Sequence, residues 1–285
     1  MQALYGPISG HKFLTWIETN DGLVAIDTGW DVADGQPYEE SDVEALVQAS
    51  EESGKPLTHI LLTHDHWDHC ANLPLLRARW PEVLVYAHAN SSVEGVTDSL
   101  YGGETLHLSG VRIKAIYTPG HSINRDELCY YLADYRFLFC GDVAQPQGPS
   151  YAFANGVSPV PFFYHAEEYR SSLEKLIMLN PLQMRTGHGD LLGPEQVKQW
   201  LRVTLATVMR IEELALTVTE RYPNKDADWL AELLYDYIVD ERHFALRAAN
   251  KRKRHTTYGG LTDYERFDKP GLLSMIMEAK AISKQ

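Results

Sequence analysis

The sequence predicts an α/β fold followed by a helical C-terminal region, and three observations carry that reading. Short apolar runs alternate with amphipathic stretches up to about residue 190. Histidine and aspartate recur just past the ends of those apolar runs, where α/β sheets usually place their ligands. Beyond Asp190 the strand-like runs stop and long helical patterns replace them.

Taken in order, 14–19 and 24–27 read as strands and 41–54 as a helix. Leu57-Thr58-His59-Ile60-Leu61-Leu62-Thr63 is apolar and short enough for a buried strand. The stretch 70–80 reads as a helix ending before Pro81. A second set of strands is expected at 84–87, 111–117, 128–133 and 136–140. A helix over 167–179 places Leu173, Leu176 and Ile177 on one face. Gly193-Pro194 opens a helical run from about 195 to 221, with Pro223 as the stop. Another helix is expected over 226–240, with apolar Trp229, Leu230, Leu233, Leu234 and Tyr237. The division expected is 1–190 as one catalytic domain and 191–285 as a helical extension.

The most informative stretch is Thr63-His64-Asp65-His66-Trp67-Asp68-His69. It sets three imidazoles and a carboxylate in the order His-x-His-x-Asp-His within six residues. Imidazole is the commonest zinc ligand and suits other borderline divalent metals, and carboxylate adds a hard oxygen donor. No packing argument needs such side chains in a row, and their spread around one loop suits two metals better than one. Three further pieces follow strand-like runs: Thr118-Pro119-Gly120-His121-Ser122, then Cys140-Gly141-Asp142, then Thr186-Gly187-His188-Gly189-Asp190. Glycine beside each donor lets the backbone turn tightly and lets side chains converge.

In these motifs, and in their order, the chain resembles the metallo-β-lactamase-fold hydrolases. The resemblance covers about residues 1–190 and implies a four-layer αβ/βα sandwich. It implies that His64, His66 and His121 hold a first metal, that Asp68, His69 and His188 hold a second, and that Asp142 bridges them. Leu23-Val24-Ala25-Ile26-Asp27-Thr28-Gly29 matches the family's early strand, and Asp27 is expected beside the site without being a ligand. The cofactors implied are two divalent ions, zinc first, with iron and manganese compatible with the same donors. The mechanism implied uses ions about 3.5–4 Å apart that share a bound water and lower its pKa, so that hydroxide is the nucleophile. Asp142 is expected to set that spacing, Asp68 to accept a proton, and Tyr164 or Tyr151 to stabilise the oxyanion.

The compact gaps between motifs are similar to those of glyoxalase II-type thioesterases and lactonases. The Gly-Cys-Gly-Arg segment that glyoxalase II carries after its bridging Asp is absent, since Val143-Ala144-Gln145-Pro146-Gln147-Gly148 follows Asp142. The substrate class expected is therefore a small ester, thioester or lactone. Alternatives of the same fold are a phosphodiesterase or ribonuclease, and a metal-retaining protein that senses an effector without turnover.

Composition narrows the partners. A net charge of −13 disfavours long nucleic acids and anionic membranes. One basic cluster, Arg247, Lys251, Arg252, Lys253, Arg254 and His255, would suit an anionic handle such as that of a coenzyme A thioester. No segment approaches the roughly 18 apolar residues of a spanning helix, and residues 1–15 do not read as a signal peptide. Three cysteines, Cys70, Cys129 and Cys140, form an odd set that argues against a disulfide framework, so a cytoplasmic protein is expected. A small-molecule substrate is expected, and a homodimer is open, with a contact through the helical extension as one route to it.

Overall fold

The computed structural model describes residues 2–5, 8–11, 13–30, 32–33, 36–37, 41–146, 160–241, 261–262 and 264–283. They fall into two compact units, Met1–Asp142 with Asn180–Val197, and Val143–Leu179 with Lys198–Gln285.

The first unit holds two large sheets. The first is built from β1 (Gln2–Tyr5), β2 (Ile8–His11), β3 (Leu14–Glu18) and β4 (Leu23–Ile26), which run antiparallel. A small hairpin, β5 (Val32–Ala33) and β6 (Gln36–Pro37), lies apart from it in the strand pairing. The sheet continues in parallel through β7 (Leu57–Leu61), β8 (Leu84–His88) and β9 (Asp98–Leu100), giving the order β1-β2-β3-β4-β7-β8-β9. The second sheet runs β10 (Thr105–Leu108), β11 (Val111–Tyr117), β12 (Leu128–Leu132), β13 (Phe137–Phe139), β14 (Gln183–Arg185) and β15 (Leu191–Leu192).

Between the sheets lies one apolar layer. Ile17, Val24, Ile26 and Leu61 from the first meet Ile113, Ala115, Leu128, Tyr130, Phe137 and Phe139 from the second. The other face of the first sheet buries Ala25, Ile60 and Val85 under α1 (Asp42–Ser53) and α3 (Leu73–Arg79). Strand β4 is therefore buried on both faces, which explains its unbroken Leu-Val-Ala-Ile run.

Parallel pairing fixes where the strand ends meet. Register Ile26 to Leu61 sets Asp27 beside Thr63, and register Phe139 to Arg185 sets Gly141-Asp142 beside Gly187-His188. The Leu128 amide donates to the Thr63 carbonyl (2.8 Å), joining the two sheets at that same end.

One expected helix differs. The 70–80 stretch is not continuous: α2 (Trp67–Cys70) ends and α3 begins at Leu73. Asn72 breaks the run because its Nδ2 donates to the Thr28 carbonyl (3.0 Å) and its amide to the Gly29 carbonyl (3.3 Å). Pro74 then sits in the first turn of α3, where its missing N–H costs nothing. As a result Asp68 and His69 are carried on a helical turn, not on an open loop.

The second unit is helical: α4 (Ala166–Leu179), most of α5 (Pro194–Arg221), α6 (Ala227–Glu241) and α7 (Lys269–Ile282), the last preceded by a π-helical turn at Tyr264–Asp268. Ser274 of α7 caps the Ala166 amide of α4 (3.0 Å), and Arg170 of α4 pairs with Glu212 of α5 (2.9 Å). Among the described residues, no helix is long and apolar enough to cross a membrane.

Candidate metal centre

Five of the seven donor side chains are delivered by strand ends of the first unit. His64 and His66 follow β7, His121 follows β11, Asp142 follows β13 and His188 follows β14. Asp68 and His69 lie on α2. The structure brings all seven together. His121 Nε2 lies 3.0 Å from His66 Nδ1, and the His64 ring is 4.5 Å from that of His66 and 5.0 Å from that of His121. His188 Nε2 lies 2.9 Å from Asp142 Oδ2 and 3.5 Å from Asp68 Oδ2, and His69 Nε2 is 3.5 Å from Asp142 Oδ1. Asp142 Oδ2 is also 3.9 Å from His121 Nε2, so this carboxylate touches both groups of donors.

These spacings fit metal ions. Two donors each about 2.1 Å from one ion at a tetrahedral angle lie roughly 3.4 Å apart. Among the described residues three donor triads could hold an ion, each with its atoms within 4.8 Å of one another: His64, His66 and His121; His64, His69 and Asp142; Asp68, His69 and His188. The nitrogens His64 Nε2 and His69 Nε2 are buried without a hydrogen-bond partner. A buried polar atom left in that state costs about 1–3 kcal/mol, which a bound cation would offset.

The electrostatics separate the histidines. Burial, reinforced by the neighbouring imidazoles, holds His64 well below its ordinary value and lowers His66 to about 3. Both are neutral at pH 7, as a ligand must be. Burial works against charge on His69 and His188 too, but Asp27, Asp142 and Asp68 around the first, and Asp142 and Asp68 beside the second, raise both. The same two histidines hold the Asp142 carboxylate far below its usual range although burial opposes them.

Behind the donors is a layer that orients them. Asp27 Oδ2 accepts from His69 Nδ1 (2.8 Å) and from Thr63 Oγ1 (2.8 Å), while its Oδ1 accepts from the Thr63 amide (2.7 Å). That bond directs His69 Nε2 toward Asp142. The His69 carbonyl is held by the Thr28 amide and hydroxyl (2.8 and 3.1 Å). Asp27 adopts φ +59°, a left-handed conformation that Asp tolerates better than most residues. Asp27 was legible from its strand; its partner Thr63 was not.

Two glycines make the convergence possible. Gly141 takes φ +50° against Thr63. A Cβ at Gly187 would press into His69 Cε1 and lie 2.5 Å from Asp142 Oδ1. The His188 loop is pinned by buried Arg185, whose Nε donates to Thr15 Oγ1 (2.7 Å) and whose Nη1 donates to the Gly189 carbonyl (2.8 Å). The turn after His121 is held from within: the Ser122 amide donates to Glu127 Oε1, and burial pushes the Glu127 carboxyl up to about 8. Asp65, between two donors, accepts from Ser92 Oγ (2.7 Å) and Asn124 Nδ2 (2.6 Å), clasping the His121 loop to the first motif. Neither Arg185 nor Asp65 carried a sequence signal.

Other residues singled out from sequence lie elsewhere. Tyr164 belongs to the second unit, where its ring packs 5.4 Å from Phe162 and burial raises its hydroxyl. Tyr151 and the basic cluster at 247–255 lie outside the described residues. Cys70 is half-buried and burial pushes its thiol up to about 12. His88 stacks on Tyr117 at 4.5 Å as a packing residue.

Comparison with known proteins gives the family. Residues 12–188 match the family model described as the metallo-beta-lactamase superfamily. The chain belongs to that superfamily. A thioesterase of Emericella nidulans is 27% identical over 197 residues, covering 68% of this chain and 51% of that protein. A hydroxyacylglutathione hydrolase of Klebsiella pneumoniae is 37% identical over 97 residues, 34% of this chain and 37% of that protein. The chain spans about half the length of the curated relatives it matches over most of the superfamily region. Among solved structures, a metallo-beta-lactamase family protein from Thermus thermophilus superposes with a TM-score of 0.58, covering 99% of this chain and 93% of that one at 16% identity, a likeness of fold. The α/β sandwich with helices toward the C-terminus expected from the motifs is thus the fold of this metallo-β-lactamase superfamily member.

Proposed function

We propose that this metallo-β-lactamase superfamily member is a dinuclear metal-dependent hydrolase of a small ester, thioester or lactone. The observation that carries the reading is the convergence of seven donors on one point of the first unit, with two buried imidazole nitrogens left for a cation. His64, His66 and His121 would hold one ion and Asp68, His69 and His188 the other, with Asp142 between them. When bound, the ions would supply an activated water and a Lewis acid for the substrate carbonyl. Zinc is the first choice, and these donors accept iron or manganese as well.

The chain's own groups do the rest. Asp27 keeps the proton of His69 on Nδ1, so that Nε2 offers its lone pair. Asp142 keeps its negative charge between the two histidine groups. Asp68, partly exposed at 20%, accepts a proton at its carboxylate as the tetrahedral species forms. Tyr164 is carried as the oxyanion donor on the strength of the sequence resemblance alone, and Tyr164→Phe tests that assignment. The acyl-transfer class is preferred because a relative across most of this region is a thioesterase. A coenzyme A thioester is the substrate form that the basic cluster at 247–255 would favour. A cytoplasmic location accords with the same reading.

The test is a hydrolysis screen on metal-reconstituted protein, with an acyl-coenzyme A thioester, an acyl-homoserine lactone and bis(p-nitrophenyl) phosphate side by side. Turnover of a thioester or lactone that disappears in His66→Ala and Asp142→Ala, together with lost metal content, is the expected result. Turnover of the phosphodiester alone, or full activity in a metal-depleted variant, overturns it.

A further inference from the structure

A run of aromatic rings borders the metal centre within the first unit. Phe13, in the turn between β2 and β3, meets the His188 ring edge-on at 5.4 Å and 88°. Phe13 lies 5.9 Å from Trp30, and Trp30 lies 4.4 Å from Trp67. Trp30 is 6% exposed and belongs to the core, but Trp67 is 47% exposed and Phe13 half-buried. Trp67 stands between His66 and Asp68 in sequence, so its ring is tied to two donors by the backbone itself.

Packing on Trp30 accounts for only part of this placement. Trp67 opens a four-residue helix, and nearly half of the largest side chain in proteins stays in water there. Exposed aromatic surface that rims a polar cluster is surface that a ligand can cover, and flat rings offer their best contact to another flat ring.

We propose that Phe13, Trp30 and Trp67 form a shelf that seats a planar, uncharged aryl group on the acyl side of the substrate, beside the metal centre. This rests on the hydrolase reading above. Contact sets the position: Phe13 meets the His188 ring, so what the shelf seats lies beside a donor of the centre. Charge sets the class. Two divalent ions beside His188 would repel a cationic ring and would draw an anionic group onto themselves and off the shelf, while a neutral ring meets neither effect. The acyl group is preferred to the thiol side because a thiol leaving group departs on a flexible chain that gains little from a rigid flat seat.

The experiment uses the zinc-loaded full chain and thioesters of one non-aromatic thiol, N-acetylcysteamine. Phenylacetyl and cyclohexylacetyl groups are compared in wild type, Trp67→Leu, Trp67→Phe and a second-unit control, Trp229→Leu. The expected result is a kcat/KM about tenfold higher for phenylacetyl, collapsing toward equality in Trp67→Leu and retained in Trp67→Phe and Trp229→Leu. A ratio near one in wild type, a ratio untouched by Trp67→Leu, or an aryl preference that follows a benzyl thiol instead of the acyl group overturns the proposal. Binding of phenylacetate against cyclohexylacetate, followed by tryptophan fluorescence and calorimetry with and without zinc, separates the two readings. If neither these thioesters nor the lactone of the screen above is turned over, the hydrolase reading fails. The shelf then stands or falls on whether phenylacetate binds more tightly in wild type and loses that advantage in Trp67→Leu.

Discussion

Replacing Asp27 by Asn probes the centre without touching a donor. Asp27 is 2% exposed and accepts three hydrogen bonds, from the Thr63 amide (2.7 Å), the Thr63 hydroxyl (2.8 Å) and His69 Nδ1 (2.8 Å). Asn is isosteric and tolerates the φ of +59° that Ala would strain against. Its carbonyl can serve Thr63, but its amide then faces His69 Nδ1 with a donor. His69 must shift its proton to Nε2, which removes the lone pair aimed at the metal. Losing an orienting carboxylate of this kind costs about 10–100-fold in metal affinity, or roughly 1.4–2.7 kcal/mol. Asp27→Ala would add the cost of the Thr63 donors and of backbone strain, so it should also unfold more easily. The assay is zinc competition against a chromophoric chelator, with urea unfolding of the metal-free protein as control. Wild-type zinc affinity in Asp27→Asn would refute the view that this bond selects the His69 tautomer.

Three further outcomes follow from the same geometry. Gly187→Ala drives a methyl into His69 and Asp142, and a displacement near 1 Å there is expected to cut hydrolysis about 100-fold while far-UV dichroism stays unchanged. Glu127 has a carboxyl raised by burial from 4.5 to about 8, so its contribution to stability is complete below pH 4.5 and is lost as pH rises toward 8. Urea titrations should therefore show stability falling over that window by roughly 5 kcal/mol at most, and Glu127→Gln should flatten the curve; an unchanged slope counts against a buried, protonated Glu127. Zinc at 100 times its dissociation constant should stabilise the chain by about 2.7 kcal/mol, so chelation should lower the unfolding midpoint of wild type but not of Asp142→Ala.

The donor set was legible because its chemistry is dense in sequence: His64, His66, Asp68 and His69 sit within six residues, and the remaining three each follow an apolar strand. The central strands were legible for a related reason, since burial on both faces leaves unbroken apolar runs such as Leu128–Leu132. What escaped is what depends on contacts distant in sequence. Strand β10 alternates exposed Thr105 and His107 with half-buried Leu106 and buried Leu108, and is held by pairing with β11. Helix α7 begins Lys269-Pro270-Gly271, which reads as a break although Pro is at home in a first turn. Arg185 orients the His188 loop through Thr15, which lies 170 residues away in sequence, and no local pattern marks such a pair. Phe13 looks like any turn residue until β2 and β3 fold back and carry it to His188.

The two sheets contribute unequally to the donors, and in chain order. The first sheet delivers His64, His66, Asp68 and His69; the second delivers His121, Asp142 and His188, the last 124 positions (188 − 64) after the first. A chain growing from its N-terminus thus owns four donors early yet cannot assemble either proposed triad until His121 or His188 has been made. Any intermediate in which one sheet is formed and the other is not lacks a complete site. Under the proposed assignment a first ion would need β7 and β11 in place and a second β7 and β14, so holding both would mark a molecule in which the strand ends of both sheets have met.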